Sequence, residues 1–236
     1  MVGMKTTNYI VKISFIFVLL ITFSGNKKLE DENLDVKTII KKIIETDQKN
    51  TLLTAVVSTY SKGYYHLGKK TDKLIEKKMS GRITTKKPKM ILFKVLETDD
   101  KMAKDSTLLY TGGKDVKIKP GGIFRFMTIT YKIDDPIFLN SRNHKFTFDG
   151  LTGVKDPLSK VELIGTSEVN NRKIYMLKVV SPTKADPEIT HEIYKVDAKS
   201  FVVLSIRMFV NTDLVSEYSI KDINTNIQDS PELFKL

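Results

Sequence analysis

The 236-residue chain contains no cysteine, which excludes a disulfide framework, a thiolate metal site and a cysteine nucleophile. Arginine is scarce, and the formal charge of +11 comes from lysines spread along the whole length. That is the composition of a solvated surface more than of a groove that reads phosphates, so nucleic acid is not an expected partner. His66, His144 and His191 are far apart and lack zinc-ligand spacing, and neither a metal nor a cofactor is expected. No Gly-x-Ser-x-Gly nucleophile motif occurs. The pairs Gly112-Gly113 and Gly121-Gly122 are not followed by a helix or by Gly-Lys-Ser/Thr, so neither is a phosphate cradle. Long apolar runs are missing too, apart from Ile13 to Phe23, which is short for a membrane-spanning helix.

That run is informative for what surrounds it. Lys5 and Lys12 precede it, and the small residues Thr22 and Ser24 follow at the positions a signal peptidase reads, so residues 1–24 are expected to be a secretory signal. No cysteine follows that could be acylated. Loss of the two lysines leaves a charge of 11 − 2 = 9. Residues 25–33 are polar and read as a flexible segment, with one domain expected over 34–236. Export to the periplasm of a diderm bacterium, as a monomer without a membrane span in the mature chain, is the expectation.

The ordered part opens with an amphipathic helix. Val36, Ile39, Ile40, Ile43 and Ile44 fall on one face, Lys37, Lys41, Lys42 and Glu45 on the other, and the helix should stop near Asn50. Strand character follows over Leu52–Tyr60 and Tyr64-Tyr65, then over Leu74–Thr85 beyond a turn around Gly68, where the mixed facing of the lysines suggests an edge segment. Met90–Leu96 is an apolar strand, and Ser106–Tyr110 pairs with Val116–Lys119 across a Gly-Gly turn as a hairpin. From Val161 to Ile223 five β-rich runs, Val161–Val169, Lys173–Val180, Ile189–Val196, Phe201–Val210 and Leu214–Ile223, follow one another with little but turn residues between them, which reads as an antiparallel ladder. The fold class expected is mainly β with some α: a curved antiparallel sheet with an N-terminal amphipathic helix and short helices over its concave face.

The order of helix, long strands, the Gly-x-Ile-x-x-x-x-Pro segment Gly81 to Pro88, a strand and a Gly-Gly hairpin resembles the superfamily of periplasmic lipoprotein carriers and receptors typified by the outer-membrane lipoprotein carrier protein. Tyr218 to Ile223, Asn224 to Gln228 and Glu232-Leu233-Phe234 look like that family's last strand and closing tail. The resemblance implies an open half-barrel whose concave face receives acyl chains. The middle departs from the carrier. Pro120 to Phe126, Asp134-Asp135-Pro136, Arg142-Asn143-His144 and Gly150-Leu151 are similar to a secreted family known only as a domain of unknown function.

Candidate binding residues are Arg125, flanked by Phe124 and Phe126, together with Ile39, Ile43 and Phe93. In a strand, Arg125 would point opposite both rings, and its permanent charge would need either an internal aspartate such as Asp134, Asp135 or Asp149 or a ligand headgroup. Asp134, Asp135, Asp149 and Asp156 lie near turns, where carboxylates usually cap backbone. The expected function is a non-catalytic envelope protein that binds a lipid, a lipoprotein acyl chain or another apolar ligand, with a lipid or acylated protein as partner and an envelope protein as a further one. Two alternatives stand beside it: an envelope hydrolase using Asp or His residues of 119–151, and a protein-interaction module.

Overall fold

The computed structural model describes residues 34–101, 103–144, 151–181 and 186–236. The expected signal, the flexible segment 25–33 and Asp149 lie outside the described residues.

Helix α1 (Val36–Lys49) starts where the pattern places it. Asp35 caps it, accepting hydrogen bonds from the Thr38 amide at 3.0 Å and the Thr38 hydroxyl at 2.8 Å. Eleven strands follow: β1 (Leu52–His66), β2 (Lys69–Lys86), β3 (Met90–Thr98), β4 (Thr107–Tyr110), β5 (Asp115–Lys119), β6 (Ile129–Lys132), β7 (Lys160–Val169), β8 (Arg172–Val180), β9 (His191–Asp197), β10 (Val203–Val210) and β11 (Asp213–Asn224). A single turn of helix, α2 (Thr152–Lys155), precedes β7. All pairings are antiparallel, in the order β6-β5-β4-β3-β2-β1-β11-β10-β9-β8-β7. The edge strands β6 and β7 are not paired with each other, so the curved sheet stays open as a half-barrel.

Period-two alternation decides which face is the interior. Along β1, Leu53, Ala55 and Val57 are buried, while Leu52, Thr54 and Val56 are partly exposed. The same alternation brings Ile83, Phe93, Ile118, Leu177 and Val196 into one apolar cluster with Ile39 and Ile43 of α1. Bulges at Ser80/Gly81, Leu163/Gly165 and Met208/Phe209 interrupt the ladders, as a strongly curved sheet requires. Gly81 has a steric reason to lack a side chain, because a Cβ there would lie 2.1 Å from the Phe93 ring. The glycine that opens the Gly81-to-Pro88 segment therefore lets an aromatic ring lie flat on β2.

Four expectations need correction. The runs Leu52–Tyr60 and Tyr64-Tyr65 are one strand of 15 residues. Leu74–Thr85 is an edge only in part: residues up to Lys78 pair with β1 alone, whereas Met79–Lys86 lie between β1 and β3. Strand β6 was not expected, because Ile129–Lys132 is four residues long and follows turns on both sides of its partner. Phe201 does not open β10, since it has a φ of 57° and the strand begins at Val203. At the other end of the chain Phe234 is buried, as the apolar tail implied.

Candidate functional site

Roofing of the interior by α1 defines the candidate site. Ile39 and Ile43 are 0% and 1% exposed, and polar contacts hold the C-terminal end of the helix to the rest of the chain. At the C-terminal end Asp47 forms ion pairs with Lys87 of the β2–β3 turn at 3.5 Å and with Lys155 of α2 at 3.0 Å. Lys87 also donates to the Asp47 carbonyl, placing positive charge where the helix dipole is negative. The Thr46 hydroxyl donates to the Ser200 carbonyl at 3.3 Å, and the Lys42 ammonium sits 4.7 Å from the Phe201 ring centroid. A 14-residue helix is marginal alone, so the seat of α1 depends on these contacts and on the isoleucine face.

On the sheet, Val57, Ile206, Tyr218 and Ile220 line a small space of about 20 Å³, room for roughly one water. Farther along the interior the sheet carries polar groups as well. Tyr194 donates to Glu192 at 2.8 Å, and Gly153 of α2 lies over this pair, since a Cβ there would meet Glu192 at 2.5 Å. Burial, with the charge of Glu192 adding to it, pushes the Tyr218 phenol up from its ordinary value, against the opposing hydrogen bond with Ser216. On the outer face Ser58 and Tyr60 alternate with the buried Val57, and there a groove of about 440 Å³ runs past Lys78, Ser80, Glu97 and Glu217. Its polar lining does not suit an apolar ligand.

The connection 133–144 is clamped by a charged cluster. Arg142 Nε donates to Asp186 Oδ2, and its terminal amine to Glu188, while His144 Nε2 lies 3.2 Å from the same Asp186 oxygen. The Arg142 and Asp186 side chains are 11% and 10% exposed. Burial alone would raise the Asp186 carboxyl, but hydrogen bonds and charge from His144 and Arg142 more than offset it and hold the acid well below the ordinary carboxylate range. The second oxygen, Oδ1, accepts from the Glu188 amide at 3.0 Å. The Ser141 carbonyl accepts from the Tyr65 amide at 2.9 Å, so this clamp closes the protruding end of β1.

The six residues expected at the ligand divide into two groups. Ile39, Ile43 and Phe93 share the buried interior. Phe124, Arg125 and Phe126 do not form a strand: Gly122–Phe124 is a 3₁₀ turn, Arg125 caps it with φ −59° and ψ −14°, and Arg125 and Phe126 are exposed. Arg125 is therefore not enclosed between rings, and among the described residues it forms no ion pair with Asp134 or Asp135. Asp135 instead caps a 3₁₀ turn through Ile137, and Asp156 accepts from Leu158 and Ser181. Among the described residues no three His, Asp or Glu gather as a metal site. Asp47, Lys87, Lys155 and Asp186 were missed by sequence reasoning, because contacts between positions 40 to 108 residues apart leave no local pattern.

An open antiparallel half-barrel roofed by one amphipathic helix is the class to which these features belong. No family model matches the chain, and no curated protein matches it. Among solved structures it is similar to an uncharacterized conserved protein from Thermus thermophilus, at 7% identity over 85% of this chain and 93% of that one, with a TM-score of 0.50. Lipoprotein LppX of Mycobacterium tuberculosis is similar at 10% identity over 82% and 99% of the two chains, TM-score 0.49. A LolA superfamily protein from Nitrosomonas europaea is similar at 12% identity over 86% and 98%, TM-score 0.39. The open, curved antiparallel half-barrel expected from the sequence is the fold found, and likeness at these identities concerns the fold alone. Among the described residues no helix is long and apolar enough to cross a membrane.

Proposed function

We propose that the chain is a non-catalytic envelope protein that holds a lipid, the acyl chain of a lipoprotein or another apolar ligand between α1 and the concave face of the sheet. The reading includes export to the periplasm of a diderm bacterium and one monomeric domain over 34–236. A single observation carries it: the apolar interior of an unclosed sheet is roofed by one helix that turns its isoleucines inward and whose polar attachments to the rest of the chain gather at its C-terminal end. Ile39 and Ile43 are at most 1% exposed, so a chain that reaches them enters when α1 lifts or its isoleucines repack. Each buried CH₂ then contributes about 0.8 kcal/mol, so half an acyl chain binds usefully without a polar contact. Ile39, Ile43 and Phe93 are the proposed ligand contacts in the interior.

The His144–Asp186 contact is where a hydrolase reading would begin. Asp186 has Oδ2 on Arg142 and His144 and Oδ1 on the Glu188 amide, which is the work of a clamp.

The absence of native cysteine permits a clean test. Thr46→Cys with Ser200→Cys staples α1 to the β9–β10 turn, and uptake of a fluorescent fatty acid is titrated before and after reduction. Oxidation should weaken uptake by about tenfold or more, with recovery on reduction, because the binding-competent fraction falls by that factor. Equal uptake in both states removes α1 as the lid, and no uptake by the unmodified protein removes the ligand class. Native mass spectrometry of protein purified from the envelope should show a bound lipid or lipopeptide.

A further inference from the structure

We propose that the turn at residues 121–127 is a docking tip, which inserts Ile123 and Phe126 into the interfacial layer of a membrane that carries anionic lipid. Both side chains are 80% exposed, and Met127 beside them is 43% exposed. Single exposed apolar residues are ordinary on soluble proteins, but large ones clustered on one turn mark a contact surface. Ile123 lies in the 3₁₀ turn and Phe126 just past its cap Arg125, so one short turn presents both side chains to solvent.

Charge points to a lipid surface. The turn itself is held by two backbone bonds, from Arg125 N–H to the Gly122 carbonyl at 3.4 Å and from Met127 N–H to the Phe124 carbonyl at 3.0 Å. The tip is also braced from behind. Gly121 N–H donates to the Ser106 hydroxyl at 3.2 Å, and a Cβ on Gly121 would lie 2.2 Å from the Lys104 carbonyl, so the turn rests directly on the connection between β3 and β4. Positive charge surrounds it: Arg125 in the turn, Lys119 leading into it, and exposed Lys101 and Lys104 in the bracing connection. Asp100 and Asp105 oppose them there, while Asp99 is engaged on the Lys78 amide. A basic collar around a small apolar tip matches an anionic headgroup layer over hydrocarbon. Arg125, expected at a buried site, acquires a role that suits its exposure. The proposal does not depend on what the interior binds.

The test is flotation of the intact chain with vesicles of phosphatidylcholine alone and of phosphatidylcholine mixed with phosphatidylglycerol, comparing the wild type with Ile123→Ser/Phe126→Ser and with Arg125→Glu. Wild type should float with the anionic vesicles and release in high salt. The double variant should lose at least about tenfold in partitioning, because two large apolar side chains no longer leave water, and Arg125→Glu should weaken binding to anionic vesicles specifically. All three should melt alike, since the altered side chains are exposed. Wild type that floats with neither vesicle overturns the proposal, as does a double variant that floats as well as wild type. Concentration-dependent dimerisation that the double variant abolishes, without vesicle binding, would make the tip a self-association surface instead. Fatty-acid uptake should be unchanged in the double variant, so loss of docking and loss of the interior ligand register separately.

Discussion

Two apolar groups of similar composition meet opposite fates in this molecule. Ile39, Ile43 and Phe93 are at most 1% exposed beneath α1, whereas Ile123 and Phe126 are 80% exposed on the 121–127 turn. Composition does not separate them, since each pairs isoleucine with phenylalanine. Backbone context does. Ile39 and Ile43 lie on one helical face, and Phe93 stands between the half-buried Leu92 and the exposed Lys94 in β3, paired with Ile83 and with its ring over Gly81, so each faces a surface built to receive it. The turn joins β5 to β6 and leaves both side chains in solvent. Apolar side chains thus serve cohesion in one place and stay available in the other.

The largest effect that would break this contrast is expected at Phe93. Phe93→Ala empties the space over Gly81 and should cost about 3 to 5 kcal/mol in urea unfolding, with Ile43→Ala costing about 2 to 5. A loss well below 1 kcal/mol for Ile43→Ala, with weaker fatty-acid uptake, would mark α1 as loosely seated. Next comes the clamp: Arg142→Met leaves the nearly buried Asp186 with His144 and the Glu188 amide but no guanidinium, and should cost about 3 kcal/mol at neutral pH.

The pH dependence of the clamp follows from the direction of the Asp186 shift. Its folded carboxyl is held below its unfolded value, so the stabilisation is fully present above about pH 4 and is lost as pH falls through the folded value. Asp186→Asn should therefore melt below wild type at neutral pH, and the gap should narrow in strong acid. A gap that widens with acid would assign the clamp's stability to another group.

Smaller still is Asp35→Ala, which removes the cap of α1 and should cost about 1 kcal/mol by chemical denaturation. Smallest is Phe126→Ser, expected within about 0.5 kcal/mol of wild type by the same measurement. A destabilisation above 1 kcal/mol there would show that the turn packs on something, and the contrast between the two apolar groups would fail.

Much of the fold was legible because its signals are local. The three-and-four spacing of Val36 to Ile44 marks α1 to within a residue or two, and alternation with Asn, Asp and Gly turns marks ten of the eleven strands. Strand β6 escaped, as four residues between turns carry too little pattern. The candidate site was legible only in its apolar half. Phe124-Arg125-Phe126 reads equally as a strand or a turn over three residues, and Gly121-Gly122, with Gly122 at φ 63°, decided for the turn.

What the sequence determined by itself was the kind of surface each segment carries: an amphipathic helix, half-buried strands, a lysine-rich exterior and turns at the right intervals. These follow from periodicities of 3.6 and 2, which a chain displays without folding. Tertiary structure alone decided which surfaces meet. It set Asp47 between Lys87 and Lys155, brought Asp186 to Arg142 and His144, laid Phe93 over Gly81, and left Ile123 and Phe126 uncovered. Burial and pairing are relations between distant positions, and they come into being only when the sheet curves and its interior closes under α1.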